Sequence, residues 1–230
     1  MMFLRSTFTA IAVLFLTTFS LQAATANFQV SSGNFNVPAN WSTGQIPGSG
    51  DIAVVAGGNV CIVTETRSSA SLTLTGGTLT VNSPGILTTG GITLNANTFT
   101  NFINGTGTLT LTGNFTAQPL GSIAGTGQLV LANGAVMTVP SSINIQQRGI
   151  VIQSGGTLNY TASSTASFLL ANGASVTIQD GGTFDVNSVQ PITASNGATI
   201  VNAGTFTKSS AGGTLNVGPA VTNTKLLHIQ

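Results

Sequence analysis

Gly107-Thr108-Leu109-Thr110-Leu111-Thr112-Gly113-Asn114-Phe115-Thr116 decides the fold. Apolar and polar residues alternate across it, so one side chain points in and the next out, which is the period of a strand. Thr is β-branched and polar and suits an exposed strand face. Gly107 and Gly113 supply the backbone freedom that a tight corner needs. The unit is therefore Gly, a polar residue, then apolar-polar-apolar.

The same unit returns along the chain. Copies run through Gly77-Thr78-Leu79-Thr80-Val81, Gly127-Gln128-Leu129-Val130-Leu131 and Gly156-Thr157-Leu158-Asn159-Tyr160. Others are Gly182-Thr183-Phe184-Asp185-Val186 and Gly213-Thr214-Leu215-Asn216-Val217, with looser copies at Ala174-Ser175-Val176-Thr177-Ile178 and Gly204-Thr205-Phe206-Thr207. Clear copies lie about 20 to 31 residues apart, in the range of solenoid coils. One strand pair cannot bury its apolar side alone, but stacked coils join many small faces into one core. No stretch beyond the N-terminus sustains a helical period. The expectation is an all-β solenoid. Asn recurs near the corners, at Asn82, Asn104, Asn114, Asn133, Asn172, Asn196 and Asn202 among others. Two readings stay open for it: stacked amide ladders or ordinary turn chemistry.

Outward from the repeats, residues 1–26 read as a secretory leader. A basic start ends at Arg5, an apolar segment runs from Phe8 to Leu21, and small residues follow in Ala23-Ala24-Thr25-Ala26. Cleavage is expected after Ala26, with Ala23 as the alternative. The apolar run is short for a membrane span, so no span is expected once the leader is gone. Residues 27–58 differ in composition from the repeats. They hold the single Trp, in Pro38-Ala39-Asn40-Trp41, and then Gly44, Pro47 and Gly50-Asp51 before the apolar run Ile52–Val55. A solenoid needs an atypical end to cover its first open edge, so residues 27–58 are expected to form an N-terminal cap and first strand. Asp51 is expected to fix the turn into that strand. Residues 59–230 are then the coils. The last ten residues show no aromatic plug or charged block, so an uncapped or truncated end and end-to-end self-association are expected.

Asn40-Trp41, Gly44, Pro47 and Gly50-Asp51 followed by an apolar strand resemble the start of large bacterial secreted β-helix proteins. The segment Leu109–Thr116 is similar to the strand repeats of that group, which includes autotransporter passengers and haemagglutinin-like adhesins. The resemblance covers most of the chain beyond the leader. It implies export to the cell surface or medium, a right-handed parallel β-helix, and adhesion or display.

Charge excludes several functions. Beyond the leader stand Arg67, Arg148, Lys208 and Lys225 against Asp51, Glu65, Asp180 and Asp185, and charged residues make up 4% of the chain. No cationic field exists to neutralise phosphates or an anionic membrane surface, so nucleic acid is excluded as a partner. The single Cys61 excludes an internal disulfide and reads as a buried small hydrophobe. His228 is the only histidine, too few for a metal site or a catalytic triad. Asp180 and Asp185 are the only close acid pair. They flank Gly181-Gly182 and read as turn carboxylates rather than as a glycosidase pair or a calcium site. Glu65 and Arg67 share one strand face and read as a surface ion pair. Asn40, Asn104, Asn114 and Asn159 head glycosylation-type triplets, which matter only in a eukaryotic host.

No catalytic, cofactor-binding or metal-binding residue is therefore expected, and no cofactor. The expected function is an exported structural or adhesive solenoid that meets a cell-surface, matrix or polysaccharide ligand. The alternatives are a polysaccharide-binding or polysaccharide-degrading β-helix and an ice-binding solenoid. Thr73-Leu74-Thr75, Thr78-Leu79-Thr80 and Thr108-Leu109-Thr110 motivate the ice-binding alternative, because stacked coils repeat at about 4.8 Å.

Overall fold

The Gly-Thr-apolar units fold as strands of three to five residues in which buried and partly exposed positions alternate. The computed structural model describes residues 23–94, 101–117, 121–163, 165–210, 213–225 and 227–229. Among them there is no α-helix; a single 3-10 turn lies at Pro38–Asn40. The expected all-β solenoid is what the chain forms.

A complete coil contributes one strand to each of three parallel sheets. Ser71–Thr75 lies on face 1, Thr78–Val81 on face 2 and Ile86–Thr89 on face 3, and Ile92–Leu94 returns to face 1. Among the described residues, face 1 has ten strands, from Thr25–Asn27 to Leu227–Ile229. Face 2 has eight, from Ser32–Asn34 to Ile192–Ala194, and face 3 has eight, from Thr66–Ser69 to Ala220–Asn223. At about 4.8 Å per rung, face 1 is about 43 Å long.

The units that look alike in sequence do not occupy one position in the coil. Gly77–Val81 ends on face 2, Gly107–Leu111 and Gly127–Leu131 on face 3, and Gly156–Tyr160 and Gly182–Val186 on face 1. The repeating unit is one corner plus one strand, a third of a coil. The coil itself is shorter than the widest spacing between sequence copies. Hydrogen bonds between adjacent coils join residues 20 apart at Ser69–Thr89 and 26 apart at Ser188–Ala162.

Inside, side chains of the same kind stack in columns. Leu87, Leu109, Leu129, Ile150, Val176 and Ile200 follow one another in register on face 3, each fully buried. Larger rings fill the C-terminal half, where Phe184 lies 5.1 Å from Phe206 in a stacked pair and Tyr160 and Phe168 meet edge to face at 5.7 Å. Corners are tight enough to demand glycine. Gly125 has φ 87°, and a Cβ there would stand 2.2 Å from the Gly105 carbonyl oxygen of the coil below.

Asn serves both expected purposes. Asn172 and Asn196 adopt positive φ and pair side chain to side chain at 2.8 Å across coils. Asn202 and Asn223 pair at 2.7 Å, while Asn104 Oδ1 accepts the Gly105 N–H.

The first coil is built differently. After Ser32–Asn34 the chain takes the 3-10 turn and a loop instead of a face 3 strand. Trp41 fills the interior, 1% exposed, with Phe28 and Phe35 edge-on at 5.1 and 4.9 Å. Its indole N–H donates to the Phe35 carbonyl at 2.7 Å. Asp51 makes the expected turn: its carboxylate accepts the N–H of Gly48 at 2.9 Å and of Ala24 at 3.0 Å. The first strand starts at Thr25, with Ala26 buried against the core.

One expected strand is absent. Gly213–Val217 makes a single bridge, Val217 to Ile192, and otherwise runs outside the sheets. Gly213 turns the chain at φ 72°, and Pro219, two residues past the bridge, has no N–H to continue a ladder.

Candidate functional site

The titratable groups lie apart. Cys61 is fully buried in face 2, and burial pushes its thiol up to about 12, so it is protonated and inert at neutral pH. Asp180 sits exposed in its turn. The Lys225 ammonium donates to it at 2.7 Å and, with its charge, holds the carboxyl below its ordinary value. Asp185 lies on face 1, paired in register with Asn159 on one side and Thr207 on the other. The two acids thus belong to different features of the coil. Glu65 pairs with Arg67 as expected and also accepts from Asn36 at 2.8 Å. His228 falls at a face 1 position opposite Thr207. Among the described residues no three of His, Cys, Asp and Glu come together, and no helix is long and apolar enough to cross a membrane.

Asp51 carries a pH consequence. The N–H groups of Gly48 and Ala24 hold its carboxyl below the ordinary 3.8. A depressed folded pKa contributes stability above the unfolded value, which is lost as pH falls through the folded one. Acidification below 3.8 should therefore loosen the first coil, and Asp51→Asn should remove that step. Trp41 fluorescence reads both.

Arg148 went unnoticed in the sequence beyond its charge. It is fully buried at the corner between faces 2 and 3. Nε donates to the Ala124 carbonyl at 2.8 Å, Nη1 to Gln128 at 3.0 Å and Nη2 to Gly105 at 2.8 Å. No carboxylate faces it among these contacts. Burial lowers it to about 10, so it stays charged at neutral pH. The guanidinium fork fits this role because its donors diverge in one plane. The local signal was weak: Gln147, before it, takes φ 60°, a conformation that no sequence pattern here announces.

Concavities open at both ends of the solenoid. One, of about 330 Å³, is walled by Phe206, Leu215, Val217 and Val221, where face 2 lacks a strand. The other, of about 390 Å³, lies between Ile46–Gly48 and Thr66–Ser68. Neither is lined by Asp, Glu, His or Cys among the described residues.

The three Thr-x-Thr elements seen in the sequence lie on three different faces: Thr73–Thr75 on face 1, Thr78–Thr80 on face 2 and Thr108–Thr110 on face 3. The register builds another array. On face 1 the outward positions Thr73, Thr93, Thr116, Thr138, Asn159, Asp185 and Thr207 form one continuous row. Beside it, two residues earlier in each strand, Asn114, Val136, Thr157, Thr183 and Thr205 form a second. These residues are partly or fully exposed. Asp185 is the only ionisable group in the two rows among the described side chains.

No family model matches the chain, and neither does any curated protein or solved structure.

Proposed function

We propose that this chain is an exported, non-catalytic β-solenoid that acts as a surface scaffold or adhesive stalk. The observation that carries the reading is the architecture itself: an unbroken ten-rung face with its ionisable groups dispersed along the rod. Such a body presents long flanks at fixed spacing and, among the described residues, no convergent acid-base pair of the kind hydrolysis needs. In this reading the coil is right-handed, as in the secreted β-helix proteins it resembles, and the Trp41 segment is its N-terminal cap.

The leader is part of the proposal. Cleavage after Ala26 would remove two residues of the first strand, Thr25 and Ala26, and the Ala24 N–H that Asp51 accepts. Cleavage after Ala23 leaves all three in place. Expression of the full chain in an exporting bacterium should give a product beginning at Ala24 by intact mass. A cytoplasmic product that retains Met1 would contradict export.

Incubated with pectin, chitin or other polysaccharides, the exported protein should release no reducing ends or unsaturated products. Turnover that disappears with Asp185→Asn or Asp180→Asn would overturn the non-catalytic reading.

A further inference from the structure

We propose that face 1 is the adhesive flank and that its ligand is an extended, neutral polysaccharide lying across the two outward rows. The proposal rests on the scaffold reading and names the surface through which the scaffold would adhere.

The face selects its partner by chemistry. Thr73, Thr93, Thr116 and Thr138 stand on four successive rungs, so their hydroxyls repeat at about 4.8 Å. Thr157, Thr183 and Thr205 continue the hydroxyls in the second row. None of these hydroxyls has a partner among the described residues. By contrast Thr89, Thr112 and Thr224 bond to backbone carbonyls. Each Thr offers one donor and two acceptor sites, and Asn114 and Asn159 add amides to the same rows. Asp185, partly exposed, adds a carboxylate to the same row, although its Oδ1 is itself buried.

Other occupants fit worse. Nucleic acid and anionic lipid need cations, and the two rows hold none among the described side chains. A protein strand cannot add to this face, because its backbone groups are already paired rung to rung within the sheet; strand addition happens at edges. An ice lattice requires an unbroken array, and Val136 and the charged Asp185 interrupt it. A chain of linked sugars carries hydroxyls along its whole length and tolerates such gaps. Faces 2 and 3 are less uniform: Leu169 stands outward on face 2, and Val151 and Val201 on face 3.

The test uses the exported full chain against cellulose, xylan and β-1,3-glucan, in pull-down and affinity electrophoresis. Thr93→Val, Thr116→Val and Thr138→Val together remove three hydroxyls at nearly constant shape. Thr88→Val, Thr110→Val and Thr177→Val do the same on face 3. The wild type and the face 3 triple variant should be retained by at least one of the three glycans. The face 1 triple variant should bind at least tenfold more weakly, with an unchanged circular dichroism spectrum. Equal loss in both triple variants, or no retention of the wild type by any of the three, would overturn the proposal. Thermal hysteresis in wild-type solutions without glycan retention would also overturn it and assign the face to ice. Loss of glycan binding alone leaves the scaffold reading in place, since that reading is tested by export and by the absence of turnover, whereas thermal hysteresis would favour the ice-binding alternative over both.

Discussion

Arg148→Met is expected to lower stability by about 3 kcal/mol or more. Hydrogen bonds from a charged donor contribute roughly 1.5 to 3 kcal/mol each, and Arg148 makes three, to Gly105, Ala124 and Gln128. The cost of burying the guanidinium, visible in its lowering to about 10, offsets part of that sum. Replacing both members of a buried ion pair by apolar residues is often harmless. Here the three carbonyl acceptors would stay behind without the donor, so methionine does not repair the site. Arg148→Lys should be nearly as damaging, since one ammonium cannot reach three diverging carbonyls. Urea denaturation measures the loss, and limited proteolysis should open the corner within residues 105–128. A shift under about 0.5 kcal/mol, the range of ordinary surface changes, would mean that the corner holds without its guanidinium.

Leu129→Asp should be more severe, at about 4 kcal/mol or beyond, because it leaves an unpaired carboxylate in the interior. Leu129 is fully buried between Leu109 and Ile150 in the face 3 column. Thr110, one rung away and partly exposed, points outward, so Thr110→Ser should stay within about 0.5 kcal/mol. Thermal melts of the two variants side by side give the contrast, and equal shifts would place the strand in the wrong register.

The sequence announced the strand period clearly, because alternation is a local property of four or five residues. It placed Leu109 and Leu129 inward and Thr110 outward, as they are. It also marked Trp41 and Asp51 as the residues that make the first coil different. It could not assign strands to faces. Gly77–Val81 and Gly107–Leu111 read alike, yet one lies on face 2 and the other on face 3, because glycine precedes strands on each of the three faces and all three faces use the same alternation. For that reason the Thr-x-Thr elements pointed to an array that the coil does not build. The row from Thr73 to Thr138 was invisible, since Thr93 and Thr116 come from units without a Thr-x-Thr signature. Gly213–Val217 looked like a strand because its pattern is right, yet it makes a single bridge, Val217 to Ile192. Arg148 was hidden because the carbonyls it serves belong to the two preceding coils, 20 to 43 residues away.

The measurement closest to the centre of this account is a pair of disulfide cross-links. Thr93 and Thr116 face each other on adjacent rungs of face 1, within the Cα separation of about 4.4 to 6.8 Å that a disulfide spans. Thr80 and Thr110 occupy equivalent places in look-alike sequence units but lie on faces 2 and 3. Cys61 is buried and should not interfere. The three-faced solenoid predicts that Thr93→Cys with Thr116→Cys closes readily under mild oxidation, and that Thr80→Cys with Thr110→Cys does not. The reverse result would show that the coil follows the sequence copies rather than the three faces described above, and the face 1 rows would not exist.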